Sequence, residues 1–408
     1  MRELRSLDRS VVLAVIVAAL GYFVDIYDLL LFSIVRVNSL KGLGVSDADL
    51  LSKGVLLINT QMAGLLIGGV LWGILGDRRG RLSVLFGSIA LYSTANIVNG
   101  FVQNVEQYAI LRFIAGIGLA GELGAGITLV AEILPKHLRG YGTTFVASIG
   151  ILGAVFGGLV GDLFDWRVAY IIGGVMGLLI LLLRVGVTES GMFAKIKTHD
   201  SVERGDFRLL FKSRTNLVKY AAVILIGVPI WYVVGILLTF TPEFGREWGM
   251  TEIPTAGKAV MFGYLGLAIG DFASGLMSQF AKSRKKIILL YILITAAAVV
   301  LHLLFGRTSL ANYYAFCVLM GFGAGYWAMF VTVAAEQFGT NIRSTVTTSA
   351  PNFVRGAVIP LTILFEAFVP SLGIVGSGVL AGVVTFTVAL GALALLDETF
   401  HKDLDYVE

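Results

Sequence analysis

The chain has 408 residues, of which 57% are hydrophobic and only 14% are charged, and its mean hydropathy is +0.85. Soluble domains carry roughly 25% charged residues, and a water-soluble fold could not bury so much apolar surface. The composition predicts an integral membrane protein and excludes the soluble, disordered and fibrous classes. The formal net charge of +4 fits basic loops beside a membrane better than a nucleic-acid partner.

Twelve apolar stretches are long enough to cross a bilayer, which takes about 20 helical residues. The first is longer than the core of a signal peptide and has no obvious small-residue cleavage site, so we interpret it as an uncleaved helix. The sequence thus predicts an all-α membrane protein. Predicted helices 1 to 12 cover residues 10–33, 53–76, 82–102, 107–131, 142–163, 167–187, 218–241, 257–280, 287–305, 312–336, 345–369 and 373–396.

The longest polar stretch, 191–217, divides these helices into two groups of six. We expect an N-terminal bundle over 1–190 and a C-terminal bundle over 218–408, with 191–217 as a cytoplasmic linker. Segment 112–144 repeats as 316–348, and duplicated halves are typical of secondary transporters, whose site lies between the halves. Lys and Arg are concentrated on the side of the N-terminus, which predicts that both termini are cytoplasmic.

Residues that would signal cofactors or covalent chemistry are sparse. Cys317 is the single cysteine, so no intrachain disulfide is possible, and the four histidines are scattered along the sequence. The sequence contains no G-x-x-x-x-G-K-[ST] phosphate-binding loop. We therefore expect no metal, no cofactor and no enzymatic activity.

The loop after helix 2 reads G-I-L-G-D-R-R-G-R from Gly73 to Arg81 and resembles the G-x-x-x-D-[RK]-x-G-R signature of the major facilitator superfamily. Helix 4 carries the similar R-x-x-x-G-x-G pattern from Arg112, and E-S-G at 189–191 resembles the E-S-P of sugar and metabolite symporters. The sequence of residues 21–32 most resembles that of the metabolite:proton symporters and their sugar-porter relatives. The resemblance implies two pseudo-symmetric six-helix bundles, with helices 3, 6, 9 and 12 outermost.

Charged residues at the inner helix ends form a candidate cytoplasmic gate. The resemblance implies that acids and bases there pair when the halves close and separate when they open. The alternative is simple anchoring by positive charge, and the second-half copy of the loop motif is degraded, with Gln279 at the counterpart of Asp77. The gate candidates are Asp77, Arg78, Arg81, Glu132, Arg139, Glu336 and Arg343.

Six charged residues stand out deep inside predicted helices, away from the helix ends, where an ionisable group costs about 2.5–3.5 kcal/mol on insertion scales and therefore indicates function. The acids are candidate proton-coupling sites, and the bases are candidate sites for an anionic substrate group. The acids are Asp25 and Asp28 in helix 1, Glu122 in helix 4 and Asp271 in helix 8; the bases are Arg112 in helix 4 and Arg355 in helix 11.

Arg355 is the sharpest of these candidates. A buried arginine cannot neutralise itself by losing its proton, so it must meet an anion. We expect Arg355 to alternate between Asp271 and the carboxylate or phosphate of a substrate; the alternative is a permanent Arg355–Asp271 salt bridge. Arg112 has an alternative role as a brace that pairs with Asp25 or Asp28.

Aromatic residues complete the expected pocket: Trp231 and Tyr232 in helix 7, and Tyr326 and Trp327 in helix 10. Each has packing, or a place in an interfacial belt, as its alternative.

These patterns favour a secondary active transporter that takes up a small polar, anionic metabolite with protons across a cell membrane. Its expected partners are the substrate, protons and the lipid bilayer, without nucleic acid, and the expected unit is a monomer. The first alternative is a proton-driven exporter, because 153–158 resembles the G-P-x-x-G-G antiporter motif without its proline. The second is a membrane sensor or enzyme that does not transport.

Overall fold

The computed structural model describes residues 9–79, 81–122, 126, 130, 133–134, 139–184 and 213–400, and these are almost entirely helical. The helices are α1 (Arg9–Gly42), α2 (Leu50–Arg79), α3 (Arg81–Asn99), α4 (Val105–Leu119), α5 (Arg139–Leu163), α6 (Trp166–Arg184), α7 (Arg214–Tyr232), α8 (Thr241–Glu247), α9 (Ala256–Ala281), α10 (Arg284–Phe305), α11 (Leu310–Ala324), α12 (Trp327–Glu336), α13 (Thr340–Gly356) and α14 (Val358–Leu395). A π-helix, Val233–Leu238, continues α7, and a short 3₁₀-helix, Gly306–Thr308, follows α10.

Many of the helices, alone or joined to the next helix, reach the length that a bilayer requires. Within a bilayer the backbone must satisfy its own hydrogen bonds, which apolar sequence does by forming helices. Nine segments of the described chain are long and apolar enough to span a membrane, and the longest, Ser349–Leu395, has 47 residues. At 1.5 Å per residue it measures about 70 Å and contains two crossings, which separate at the left-handed Gly373 (φ +71°). With α3 and α4, the described helices fit the predicted twelve-helix fold.

Several helix boundaries differ from the prediction. Helix 1 was expected to end at residue 33 but continues to Gly42, because Arg36 is buried and paired rather than exposed at a membrane surface. Helix 10 was expected to be continuous but breaks between Ala324 and Trp327. Helix 4 makes a turn at Ala120 and Gly121, which is the same position in the repeated segment.

Glycines bring neighbouring helices into backbone contact. In the first half of the chain, a Cβ at Gly64 would overlap the Phe113 carbonyl oxygen, so α2 and α4 touch along their main chains. In the second half, a Cβ at Gly266 would overlap the Val318 carbonyl oxygen between α9 and α11. The two halves therefore repeat the same close packing.

We call α1 to α6 the first half of the chain and α7 to α14 the second half. They meet where α5 packs on α9 and where α2 packs on α13 and α14. We call the end of the bundle that carries the loop at Gly44 the Gly44 side, and the opposite end, with the turn at Lys282, the Lys282 side. Most of the predicted linker lies outside the described residues, and α7 begins at Arg214.

Candidate functional site

A buried ion pair joins the middle of α1, in the first half, to the end of α13, in the second half. Nη2 of Arg355, on α13, lies 3.7 Å from Oδ2 of Asp25, on α1. Both side chains are almost completely excluded from solvent. The sequence analysis expected Arg355 to pair with Asp271. In this conformation that prediction is wrong, because the arginine points across the interface to Asp25 in the first half.

The Arg355–Asp25 pair leaves hydrogen-bonding capacity unused. A separation of 3.7 Å exceeds hydrogen-bond distance. Neither oxygen of Asp25, nor Nε and Nη1 of Arg355, has a hydrogen-bond partner among the described residues. Buried polar groups in folded proteins are nearly always hydrogen-bonded, so this cluster of unsatisfied groups is a candidate site for a polar ligand.

Aromatic side chains from both halves surround this pair. The Arg355 guanidinium carbon lies 5.8 Å from the centre of the Trp327 ring, at the start of α12. Arg355 and Asp25 also act electrostatically on the hydroxyls of Tyr22, from α1, and Tyr264, from α9. The prediction placed Trp327 in the site but missed both tyrosines, because an apolar helix gives no sign of which face its tyrosines occupy.

Asp271 lies close to this site but is bound differently. Its Oδ1 accepts a hydrogen bond of 2.8 Å from the Ala328 backbone N–H, and the Trp327 N–H also donates to the carboxylate. Asp271 therefore binds the first turn of α12.

A second polar cluster lies within the first half. Asp28 is near Arg112 and Asn96, and Arg112 donates to the Asn96 side-chain oxygen. The Arg112 guanidinium also stacks 4.7 Å from the centre of the Tyr170 ring. Arg112 thus contacts α3 and α6 and lies beside Asp28 of α1.

Glu122 follows the turn that ends α4 and is 1% exposed. It is close enough to Asp25 for the two carboxylates to repel each other. Three of the four predicted acids, Asp25, Glu122 and Asp271, therefore lie around the interface, whereas Asp28 lies within the first half.

Three of the other predicted pocket residues lie inside the second half. The Tyr232 hydroxyl donates to the Gly378 carbonyl at 2.8 Å, and the Tyr326 hydroxyl donates to the Ile226 carbonyl at 2.8 Å. Trp231 is buried, and its Nε1 has no partner among the described residues. The structure gives Tyr232 and Tyr326 packing roles and places only Trp327 against Arg355.

The predicted gate falls mostly outside the described atoms. Glu132 is not among the described residues, and the side chains of Asp77, Arg78, Arg81, Arg139 and Arg343 are not described either. Glu336 is described: it pairs with Arg284 at 3.3 Å and accepts a hydrogen bond of 2.6 Å from Thr399. The second half therefore has a charge pair on the Lys282 side despite its degraded loop motif.

The sequence analysis missed an ion pair on the Gly44 side. Arg36 at the end of α1 donates through Nη2 to both oxygens of Glu243 on α8, at 2.7 and 2.6 Å. Arg36 also donates to the carbonyls of Leu50 and Thr239 and lies over the Phe240 ring. The only sequence signal was a single arginine beyond an apolar run, which hydropathy assigns to the membrane surface.

Two packed helical halves with charges buried between them define a transporter architecture. The sequence profile of the Major Facilitator Superfamily matches residues 11–362, so the chain belongs to this family of membrane proteins. The cis,cis-muconate transport protein of Acinetobacter baylyi is 27% identical over 97% of this chain and 95% of its own length.

The probable 4-methylmuconolactone transporter of Cupriavidus pinatubonensis is 26% identical over 93% of this chain and 86% of its own length. The crystal structure of a D-xylose-proton symporter has a TM-score of 0.73 at 18% identity, over 94% of this chain and 98% of that one, and shows the same fold. These relatives are named as transporters, not enzymes.

Proposed function

We propose that the protein is a secondary active transporter that takes up a small organic anion together with protons by alternating access. The observation that carries the proposal is the buried Arg355–Asp25 pair, which joins the halves at 3.7 Å without a hydrogen bond. A guanidinium at this depth requires an anion. Because Asp25 holds it loosely, a substrate anion can take the place of Asp25.

When a substrate anion replaces Asp25 as the partner of Arg355, binding of the anion is coupled to uptake of a proton. A carboxylate or phosphate of the substrate binds the guanidinium in the two-point geometry that arginine favours. Asp25 then loses its cationic partner in a buried environment, where the neutral form of a carboxyl group is favoured. Asp25 therefore takes up a proton as substrate binds, and releases it when substrate leaves and Arg355 returns.

Asp28 is the second proton site in this proposal. Both of its oxygens lack hydrogen-bond partners among the described residues, and Arg112 lies beside it within the first half. Since this cluster does not cross the interface, Arg112 serves as the brace that keeps Asp28 near a positive charge.

The surroundings of Arg355 favour a flat, unsaturated or aromatic body on the substrate. Trp327, Tyr22 and Tyr264 offer ring faces and hydroxyls around the guanidinium. The names of the muconate and methylmuconolactone transporters identify small unsaturated acids as the cargo of those relatives. We propose the same chemical class for this chain.

We propose uptake rather than export because close packing between helices explains the glycines of helix 5. A Cβ at Gly153 would overlap the Phe23 carbonyl oxygen, and one at Gly158 would lie 2.9 Å from the Gly257 carbonyl oxygen. These contacts let α5 approach α1 and α9, so the glycine pattern no longer supports an antiporter. In this proposal the protein works as a monomer in a cell membrane with the Lys282 side and both termini in the cytoplasm.

Reconstituted protein tests the proposal, with labelled cis,cis-muconate and benzoate as probes. We expect an inward proton gradient to drive accumulation, and a protonophore to abolish it. Arg355→Lys should raise the KM by about tenfold or more, since the ammonium loses two-point geometry. Asp25→Asn should lose accumulation but retain exchange. The exposed Arg307→Lys is the matched control.

Sodium-dependent accumulation that ignores the protonophore would contradict proton coupling. Wild-type affinity in the Arg355→Lys variant would contradict the proposed anion site.

A further inference from the structure

The break in helix 10 lies directly against α9. Between α11 and α12, Gly325 (φ −76°, ψ 58°) and Tyr326 (φ −129°, ψ 24°) leave the helical conformation. A Cβ at Gly325 would lie 2.6 Å from the Asp271 backbone nitrogen and equally close to Gly270. No residue larger than glycine fits at position 325. The helix break therefore lies in direct contact with the backbone of Asp271.

The break exposes backbone N–H groups that a continuous helix would satisfy. The first residues of an α-helix have no partner within the helix, and Tyr326 supplies no side-chain cap to α12. Asp271 supplies it from α9: its Oδ1 accepts the Ala328 N–H at 2.8 Å, and the Trp327 N–H donates to it as well. A carboxylate is also the charge that a helix N-terminus favours.

Two other helix N-termini in the second half are capped in the same way. After Gly373, the Ile374 and Val375 N–H groups donate to Glu247. At the start of α10, the Arg284 and Lys285 N–H groups donate to Glu398. In each case an acid from a different segment binds the first turn of a helix. Asp271 belongs to this set by its contacts, whereas Asp25 faces a guanidinium.

The cap determines where Trp327 lies. Trp327 is the first residue of α12, and its ring is the one that stacks near Arg355. We propose that Asp271 is a positioning residue: by capping α12 it holds Trp327 as a wall of the substrate site, and it sets substrate affinity without carrying the transported proton. This inference rests on the proposed function of the Arg355 site.

The two roles of Asp271 predict different behaviour of matched variants. Asp271→Asn keeps an oxygen that accepts the Ala328 N–H, whereas Asp271→Ala removes it. We expect Asp271→Asn to retain proton-driven accumulation of the labelled probe, with a KM within about threefold of wild type. Asp271→Ala should raise the KM by about tenfold or more and change the maximal exchange rate much less. Ser274→Ala is the control, since Ser274 is buried one turn further along α9 and its hydroxyl donates to the Asp271 backbone carbonyl, not to the carboxylate or to α12.

Each contrary result has its own meaning. Loss of accumulation with retained exchange in Asp271→Asn would make Asp271 a proton site and overturn the inference. An unchanged KM in Asp271→Ala would also overturn it. If the alanine variant does not fold, the asparagine variant alone decides. If Arg355→Lys binds substrate normally, the proposed function fails instead, whatever the Asp271 variants show.

Discussion

At the scale of single residues, the position of Asp28 depends on a glycine opposite it. A Cβ at Gly173 on α6 would overlap Asp28 Oδ1 and would approach Tyr27 Cε1 to 2.7 Å. The Tyr27 hydroxyl donates to the Ala169 carbonyl at 2.8 Å, which limits how far its ring can retreat. The carboxylate and the ring are therefore the atoms that any added methyl group would displace.

Gly173→Ala should move Asp28 away from Arg112 and lower proton-driven accumulation. Overpacking of this kind destabilises by about 1–3 kcal/mol, so the melting temperature should fall by a few degrees as well. Uptake in proteoliposomes and thermal unfolding in detergent measure the two effects. Gly391→Ala is the control, because nothing lies within 4 Å of a Cβ there. Equal uptake by the two variants would show that Asp28 tolerates displacement.

The sequence located the charged residues but not their partners. Asp25, Arg112 and Arg355 stood out because charge within an apolar helix is rare. Whether Arg355 meets Asp25 or Asp271 depends on how three helices are rotated about their axes. A hydropathy pattern does not encode this rotation when apolar residues lie on all sides of a helix. Arg36 was missed for the opposite reason: its partner Glu243 lies 207 residues away in sequence, so only the folded chain shows that its charge is compensated.

At the scale of helices, the N-terminus of α10 shows how the second half anchors its ends. The Ser283 side chain caps the helix locally and donates to Glu398, which lies beyond α14. Partial burial acts to raise the pKa of Glu398, but hydrogen bonds from Ser283 and from backbone N–H groups outweigh it, and the net result is a lowered pKa. The ionised carboxylate therefore stabilises the folded state.

Glu398→Gln should lower the melting temperature near neutral pH. A lowered folded-state pKa gives stability that is present above the unfolded pKa of about 4.3 and is lost as the pH falls through the folded value. The difference between variant and wild type should therefore be full above the unfolded pKa and disappear as the pH falls below the lowered folded-state pKa of Glu398. Glu398 is mostly exposed, so solvent screening limits the effect to about 1 kcal/mol or less. Thermal unfolding in detergent across this pH range measures it, and a difference that persists in acid would assign the effect to packing.

Helix number and order followed from hydropathy, whereas helix breaks did not. The break before Trp327 arises because Gly325 must fit against Gly270 and because Asp271 caps the freed N–H groups. Both causes are tertiary, and the local sequence around Tyr326 is as apolar as the helix on either side. The structure shows a related feature at the matching position of the repeated segment, where Ala120 and Gly121 in helix 4 form a turn.

At the scale of the whole molecule, the two ends of the interface hold opposing charge pairs in our proposal. The candidate gate on the Lys282 side includes Asp77, which we expect to favour the conformation open on the Gly44 side. Asp77→Asn should shift the population toward opening on the Lys282 side and impair transport while leaving expression intact. Spin-label distances across the Lys282 side measure the shift; unchanged distances with normal transport would leave the loop as a simple anchor.

The Arg36–Glu243 pair is the opposing contact. Arg36 is fully buried, and Glu243 is 8% exposed. The pair joins α1 of the first half to α8 of the second, immediately after the π-helix and the break at Phe240. Opening the Gly44 side requires these charges to separate and become hydrated. In the closed state, by contrast, Arg36 left without Glu243 would be a buried charge with only carbonyl and aromatic partners.

Glu243→Gln should therefore favour opening on the Gly44 side, the reverse of Asp77→Asn. Removing one partner of a buried charge pair costs about 2–5 kcal/mol, and even 2 kcal/mol shifts a two-state equilibrium by about 30-fold. Cysteines at Ser46 and Glu252, both exposed on this side, allow spin-label distances to report the opening, and buried Cys317 does not interfere.

The control is Glu106→Gln, an exposed acid on the same side. Exchanging the two charges, Arg36→Glu with Glu243→Arg, should restore part of the closed population. An unchanged distance distribution in Glu243→Gln would mean that packing alone closes this side.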